Sequence, residues 1–154
     1  MKVLFYAFFI ILIACVVGCS TYTTEDDETR PPYDATITDN QALDIAEATF
    51  RYQFEHNVSG KNQKTYYLLL FGKDPSPEFL ARFKDNQPPV RKGSDFTEGE
   101  IKFKVVDIER ISDTKVKVYG GYYEGNVSAS GSNYNVELKD GKWIVTGEDL
   151  LGVS

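Results

Sequence analysis

Cysteine, histidine and tryptophan are scarce in this chain of 154 residues, which has two Cys, one His and one Trp. Both cysteines, Cys15 and Cys19, stand near the amino terminus, so no disulfide can cross-link the rest of the chain. The single histidine, His56, cannot build a zinc site without several other ligands converging on it. We therefore expect no metal, no other cofactor and no thiol-dependent activity.

Positive charge is also in short supply. The chain has 17 Lys and Arg against 23 Asp and Glu, a formal net charge of −6. A protein with this excess of acid repels the phosphate backbone, which argues against nucleic acid as a partner.

The amino-terminal segment has the form of an export signal. Lys2 supplies a positive charge, and residues 3–17 follow as an almost wholly apolar run that is too short to span a membrane comfortably. The run ends in Val16-Val17-Gly18-Cys19, which resembles the lipobox of bacterial lipoproteins. In that motif small residues admit the signal peptidase, and the thiol takes a diacylglyceryl group as a stable thioether.

The lipobox resemblance implies that residues 1–18 are a signal peptide and that Cys19 is lipidated. The lipid would make the membrane a partner and place the protein in the cell envelope. Ser20 would permit transfer to the outer membrane if the cell has one; otherwise the outer face of the cytoplasmic membrane is expected. Three alternatives stay open: an ordinary secretory signal, a membrane-spanning anchor, and lipidation at Cys15, which ends a second lipobox-like run.

A flexible acidic tether is predicted to follow the lipidated cysteine, so that the anchor segment covers residues 19–36. This stretch is rich in Thr, acidic residues and Pro and has no apolar period. Its acidic run, residues 25–28, is typical of a solvated linker. It also loosely resembles the surface-export signals of some outer-membrane lipoproteins, which stand closer to the cysteine.

Residues 37–154 are predicted to form one globular domain that begins with a helix, a strand and a second, short helix. Thr38 and Gln41 have the spacing of a capping box, and apolar residues at helical spacing predict a helix over about 39–56. The short aromatic and aliphatic run 65–71 favours a strand. Ser76-Pro77 then predicts the start of a short second helix.

The remaining sequence predicts strands joined by short turns. Alternation over 100–111 slips in phase at Val106, which indicates a β-bulge. Residues 115–124 alternate as well, and Gly120-Gly121 within them indicates a kink or bulge that curves the sheet. Residues 126–132 are interpreted as a loop or a frayed edge. Alternation resumes over 134–138, Asp140-Gly141 predicts a hairpin turn, and Trp143 on the returning strand is expected to be a core residue.

These elements predict an α+β fold, with a long N-terminal helix packed on a curved antiparallel sheet of four to five strands and one short extra helix. The element order over residues 38–148 resembles the cystatin-like and nuclear-transport-factor-2-like folds. In those folds a curved sheet wraps a helix, and some members are isomerases with a pocket carboxylate.

Four residues are candidates for a pocket on the concave side of such a sheet: Asp107, Tyr119, Tyr122 and Tyr134. Asp107 stands near the suspected bulge, where the slip in phase could point it inward; the alternative is a solvent-facing carboxylate. Aromatic residues at these spacings are also typical of core and cross-strand pairs. His56 is interpreted as a residue that caps the carboxyl end of the first helix.

Two functions of different classes follow from these features. The first is a non-enzymatic lipoprotein whose domain binds a protein, a glycan or an apolar small molecule; the second is a small isomerase or hydrolase that uses a pocket carboxylate and a Tyr. No catalytic residues are assigned from the sequence. A pocket with a buried Asp or Glu beside a Tyr hydroxyl would favour the enzyme, whereas a filled concave face would exclude it.

Overall fold

The computed structural model describes residues 32–125 and 128–153. The predicted signal peptide, Cys19 and the tether up to residue 31 lie outside the described residues. The described chain is α+β, with two α-helices and six strands: α1 (Asp39–His56), β1 (Tyr66–Leu70), α2 (Pro77–Ala81), β2 (Val90–Lys92), β3 (Ile101–Ser112), β4 (Lys115–Glu124), β5 (Ser128–Lys139) and β6 (Lys142–Val153). Two short 3-10 helices, Ser59–Asn62 and Gly93–Asp95, lie in the connections. None of these helices has the length and apolar character needed to cross a membrane.

Both helices begin where side chains satisfy free backbone N–H groups. The Thr38 hydroxyl accepts from the Gln41 amide at 3.3 Å, and the Gln41 side chain accepts from the Thr38 amide at 3.1 Å. This capping box starts α1 at Asp39, the residue predicted from the sequence. At α2 the Ser76 hydroxyl accepts from the Phe79 amide, and Pro77 occupies the first helical position.

The sheet is larger and more mixed than the sequence predicts. Its six strands run in the order β2-β1-β3-β4-β5-β6, and β1 pairs in parallel with both β2 and β3. The prediction of an antiparallel sheet of four to five strands is therefore wrong in strand number and partly in direction. The long connection between β1 and β3, which contains α2, lets the chain cross back and pair in parallel.

Strands β3 to β6 form an antiparallel meander. The register of β3 on β4 shifts between Val105 and Asp107, which confirms the predicted bulge. Asp140 and Gly141 have φ angles of 51° and 75°, as the predicted two-residue hairpin turn requires. Residues 128–132 are neither loop nor frayed edge, because they pair with β4 on one side and, from Ser130 onward, with β6 on the other.

The core lies between α1, α2 and the inner face of the sheet. At its centre is a cluster of contacting aromatic rings: Phe50, Phe54, Tyr66, Phe79, Phe83 and Phe103. Trp143 is not among the buried residues; it is half-buried and packs against the margin of the core. The prediction that Trp143 is a core residue is therefore wrong in degree, because β6 is an edge strand and Trp143 lies beside the polar flank of α1.

The last residues of the predicted tether run along the sheet. Ile108 N donates to the carbonyl of Pro32, and Tyr33 forms a parallel bridge with Ile108. The Tyr33 ring lies 5.3 Å from that of Phe71, and its hydroxyl donates to Asp39 at 2.7 Å. Residues 32–36 thus belong structurally to the domain, because Tyr33 supplies an aromatic contact and a hydrogen bond to it.

Replacement of Tyr33 by Ala is expected to lower the free energy of unfolding of the full chain by about 2 kcal/mol. The change removes one aromatic contact and one hydrogen bond to a carboxylate. Urea unfolding followed by circular dichroism measures the effect. Tyr22→Ala, within the predicted tether, is the matched control and should leave the midpoint unchanged; equal effects of the two changes would show that Tyr33 contributes nothing specific.

Candidate functional site

A cavity of about 630 Å³ lies between the carboxyl end of α1, the segment after it and the inner face of β3 to β6. Its walls combine buried side chains at the floor with exposed ones at the rim. The lining residues are Gln53, His56, Asn57, Val58, Ser59, Asn62, Phe103, Tyr122, Glu124, Ser128, Ser130, Tyr134, Glu148, Leu150 and Val153.

The cavity exists because α1 ends before it covers the whole inner face. Asn57 leaves the helix with φ −79° and ψ 111°, and its side-chain Oδ1 accepts from the Ser59 hydroxyl at 2.9 Å and the Gly60 amide at 2.8 Å. These bonds turn the chain away from the helix axis in a local Asx-type turn. Beyond His56, α1 therefore no longer covers the inner sides of β4, β5 and β6.

The floor and one wall are built by strand alternation. Tyr122 on β4 stands opposite Ser130 on β5, and Tyr134 on β5 stands opposite Glu148 on β6. Side chains in cross-strand register project from the same face of a sheet, so these four converge on the cavity. Small hydroxyl side chains at inward positions of β5 leave open the volume that larger apolar side chains would fill.

Gln53 connects the helix to the floor. This residue is 4% exposed, and its Nε2 donates to the carbonyls of Lys104 at 3.2 Å and Gly121 at 3.4 Å and contacts the Tyr134 hydroxyl at 3.2 Å. Two carbonyl partners fix the amide orientation, because a flipped amide would put oxygen against oxygen. Oε1 is buried and has no hydrogen-bond partner within residues 32–125 and 128–153.

Tyr134 is a hydrogen-bond donor at neutral pH. Burial raises the pKa of its phenol to about 12, and the neighbouring Glu148 carboxylate also raises it. Glu148 is held by the Ser132 hydroxyl, which donates to its Oε1 at 2.6 Å. The floor therefore presents a protonated phenol beside an anchored, solvent-exposed carboxylate.

His56 is the last residue of α1, which confirms the position predicted from the sequence. Its Nδ1 lies 2.9 Å from the carbonyl of Tyr52, and the two rings stack with centroids 3.9 Å apart. A carbonyl only accepts, so Nδ1 carries the proton and Nε2 of the neutral ring is an acceptor. His56 thus caps the helix and also lines the cavity.

The charges of the cavity are predominantly acidic. Glu124 and Glu148 line it, and of the lining residues in the described chain none is Lys or Arg. Glu124 is fixed by the Gln63 amide at 2.8 Å and the Ser128 hydroxyl at 3.3 Å. The potential inside is therefore negative around neutral pH, which favours cations and hydrogen-bond donors over anions.

The structure brings together two of the four pocket residues predicted from the sequence. Tyr122 and Tyr134 line the cavity. Tyr119 lies on the opposite face, half-exposed over Gly131, because it has the other strand parity. Asp107 is exposed, and its Oδ1 accepts from the Ile108 amide at 2.8 Å, so it stabilises the bulge and does not face the cavity.

Several cavity residues have no counterpart in the sequence prediction: Gln53, Glu124, Ser128, Ser130 and Glu148. The alternation of inward and outward side chains along β5 could have predicted two of them. Counting back from the inward Tyr134 in steps of two passes Ser132 and reaches Ser130 and Ser128, and small polar residues at inward positions indicate a cavity floor. The pairing of Glu148 with Tyr134 depends on a second register shift, in β6, which no local pattern shows.

No group of three or more His, Cys, Asp or Glu is placed to hold a metal ion in the part of the chain that the structure describes. The described lining offers hydrogen-bonding groups, two carboxylates and aromatic surface. Comparison of the chain with protein families, with curated proteins and with solved structures finds no match in any of the three.

Proposed function

We propose that this protein is a lipid-anchored protein of the cell envelope whose domain binds a small molecule in the cavity without transforming it. The anchor is supported by the lipobox-like Val16-Val17-Gly18-Cys19 and by the apolar run before it. Tyr33 packs on the domain, so the tether would leave the sheet at Pro32 and lead back to Cys19.

The cavity supports the proposed binding of a small molecule. Its volume of about 630 Å³ lies in the middle of the range of small-molecule sites, roughly 300–1,000 Å³. Its floor combines buried aromatic surface with a few fixed polar groups, which is the usual composition of such sites. Gln53 Oε1 adds a buried acceptor that has no hydrogen-bond partner among the described residues, and such a group favours a ligand that supplies the missing donor.

An enzyme is the second candidate, because a carboxylate and a Tyr hydroxyl do meet in the cavity. Glu148 is exposed and accepts from Ser132, whereas a carboxylate that abstracts a proton from carbon needs an environment that disfavours its charge. The phenol of Tyr134 stays protonated and can only donate or accept a hydrogen bond near neutral pH. This geometry supports binding more strongly than proton transfer.

We also propose that the domain has a cystatin-like or nuclear-transport-factor-2-like fold, in which a curved sheet wraps a helix. It is supported by the order of elements, by α1 packing on one face of the sheet, and by the bulges in β3 and β6, which increase local twist. An experimental structure whose sheet is flat along α1 would contradict it.

The binding function predicts that small molecules co-purify with the protein. The full chain is purified from its native host in a mild nonionic detergent and denatured, and the released compounds are identified by mass spectrometry. Ser130→Phe fills the floor from an inward position of β5, and Ala129→Phe is its matched control on the opposite face.

A compound that is released from wild type and Ala129→Phe but lost from Ser130→Phe would support binding in the cavity. Folding of both variants is checked by circular dichroism. A compound retained equally by all three proteins would place binding elsewhere. Absence of any compound, together with no thermal stabilisation of wild type by a panel of amines, sugars and fatty acids, would defeat the proposal.

A further inference from the structure

We infer that the ligand of this cavity is an organic ammonium ion with an apolar body, in which the charged group lies beside Glu148. The inference rests on the proposed binding function and specifies its ligand class. Three features of the lining carry it: the sign of the charges, the acceptor atoms that stand beside the carboxylates, and the apolar side chains at the rim.

The sign of the lining charges selects a cation. Glu124 and Glu148 face the cavity and no described lining residue is a Lys or Arg that would neutralise them. An anionic ligand would meet two carboxylates, whereas an ammonium group would gain attraction from both. The chain as a whole carries a net charge of −6, which adds to the attraction at long range.

The lining offers acceptor atoms in addition to its two carboxylates. Gln53 Oε1 is a buried acceptor without a partner among the described residues, and His56 Nε2 is an acceptor when the ring is neutral. An ammonium group has three donors and no acceptor, so it complements this set.

Apolar side chains around the mouth select the rest of the ligand. Val58, Leu150 and Val153 line the cavity yet are 78%, 61% and 61% exposed. Deeper in, Tyr122 presents aromatic surface, which also attracts cations when a ring face is within reach. A ligand with an apolar body would cover the rim residues while its charged end reaches the carboxylate.

The test compares three probes of one shape: 2-phenylethylamine, 2-phenylethanol and 3-phenylpropionate. Each is titrated by isothermal calorimetry into the full-length protein in a nonionic maltoside detergent at pH 7. The amine should bind, the alcohol should bind at least about tenfold more weakly, and the carboxylate should show no binding, because only the amine is complementary in charge.

Charge-specific recognition is tested with two neighbouring carboxylates on β6. Glu148→Gln should weaken the amine about tenfold and leave the alcohol unchanged, which removes the preference between them. Asp149→Asn is the matched control: Asp149 does not line the cavity and its side chain accepts from Asn135. This variant should bind the amine as wild type does.

Binding of the alcohol as tight as that of the amine, or no effect of Glu148→Gln, would overturn the ammonium inference while leaving a binding cavity in place. A failure of all three probes would also overturn it. The release of compounds from wild type and Ser130→Phe then decides separately whether the cavity binds a ligand of another class.

Discussion

Gly121→Ala is expected to destabilise the domain by about 4 kcal/mol, close to the whole stability of a small domain. Gly121 has a φ of 149°, a conformation that side chains rarely adopt, and a Cβ placed there would overlap the backbone carbonyl of Ser130 on the adjacent strand. Backbone strain and overpacking would therefore act together. The position of the Cβ is set by the backbone of residue 121, and the atom that it overlaps is a backbone carbonyl oxygen. No rotamer change can therefore relieve the overlap.

The same change should damage the cavity. Gly121 lies between Gly120, which pairs with Val105 at the bulge, and Tyr122, which lines the cavity. Its carbonyl accepts from Gln53, so displacement of the strand would also loosen the contact between Gln53 and Tyr134. A folded Gly121→Ala protein should therefore bind cavity ligands more weakly than wild type.

Urea unfolding of the full chain, monitored by far-ultraviolet circular dichroism, measures the stability change. Gly152→Ala on the edge strand β6 is the control, because nothing lies within 4 Å of its added methyl group and its φ is not positive. Its effect should stay within about 0.5 kcal/mol. Equal midpoints for the two variants would contradict the strain at Gly121.

Cys19→Ala is expected to abolish lipid incorporation and to release the protein from the membrane. The lipobox resemblance assigns the thioether to this thiol, and alanine offers no atom that can form it. Each buried methylene contributes roughly 0.8 kcal/mol, and a single chain binds only marginally, so two or three chains on one residue hold firmly and their loss is complete.

Cells fed a clickable fatty acid and fractionated into membrane and soluble parts give both readouts. Cys15→Ala is the matched control and should keep label and membrane association. If Cys19→Ala retains the label and Cys15→Ala loses it, the lipidated residue is Cys15. If neither variant loses label, the lipid is attached elsewhere and the lipobox interpretation is wrong.

Local chemistry explains which elements could be predicted from the sequence. The capping box at Thr38, the Ser76-Pro77 helix start and the Asp140-Gly141 turn each depend on residues within four positions of one another. The bulge after Val105 is visible as a slip in alternation, because the buried face continues on both sides of it. Such features need no knowledge of the partner strand.

Features that depend on distant residues were not predictable in this way. Strand β2 has three residues, too few for a pattern, and the parallel direction of β1 depends on where the chain returns after α2. The burial of Trp143 was overestimated, because alternation shows which face a residue occupies and not how near the edge of the sheet it lies.

The sequence by itself determined the helix starts, the phase of β3 and β4, the acidic balance and the lipobox-like segment, because propensity, capping and charge are properties of neighbouring residues. The existence and the lining of the cavity became visible only in the tertiary structure. The cavity depends on where α1 stops relative to three strands, on a register shift that pairs Glu148 with Tyr134, and on Gln53 reaching backbone carbonyls more than 50 positions away. These are long-range contacts, and the free energy that selects them comes from packing the whole core together.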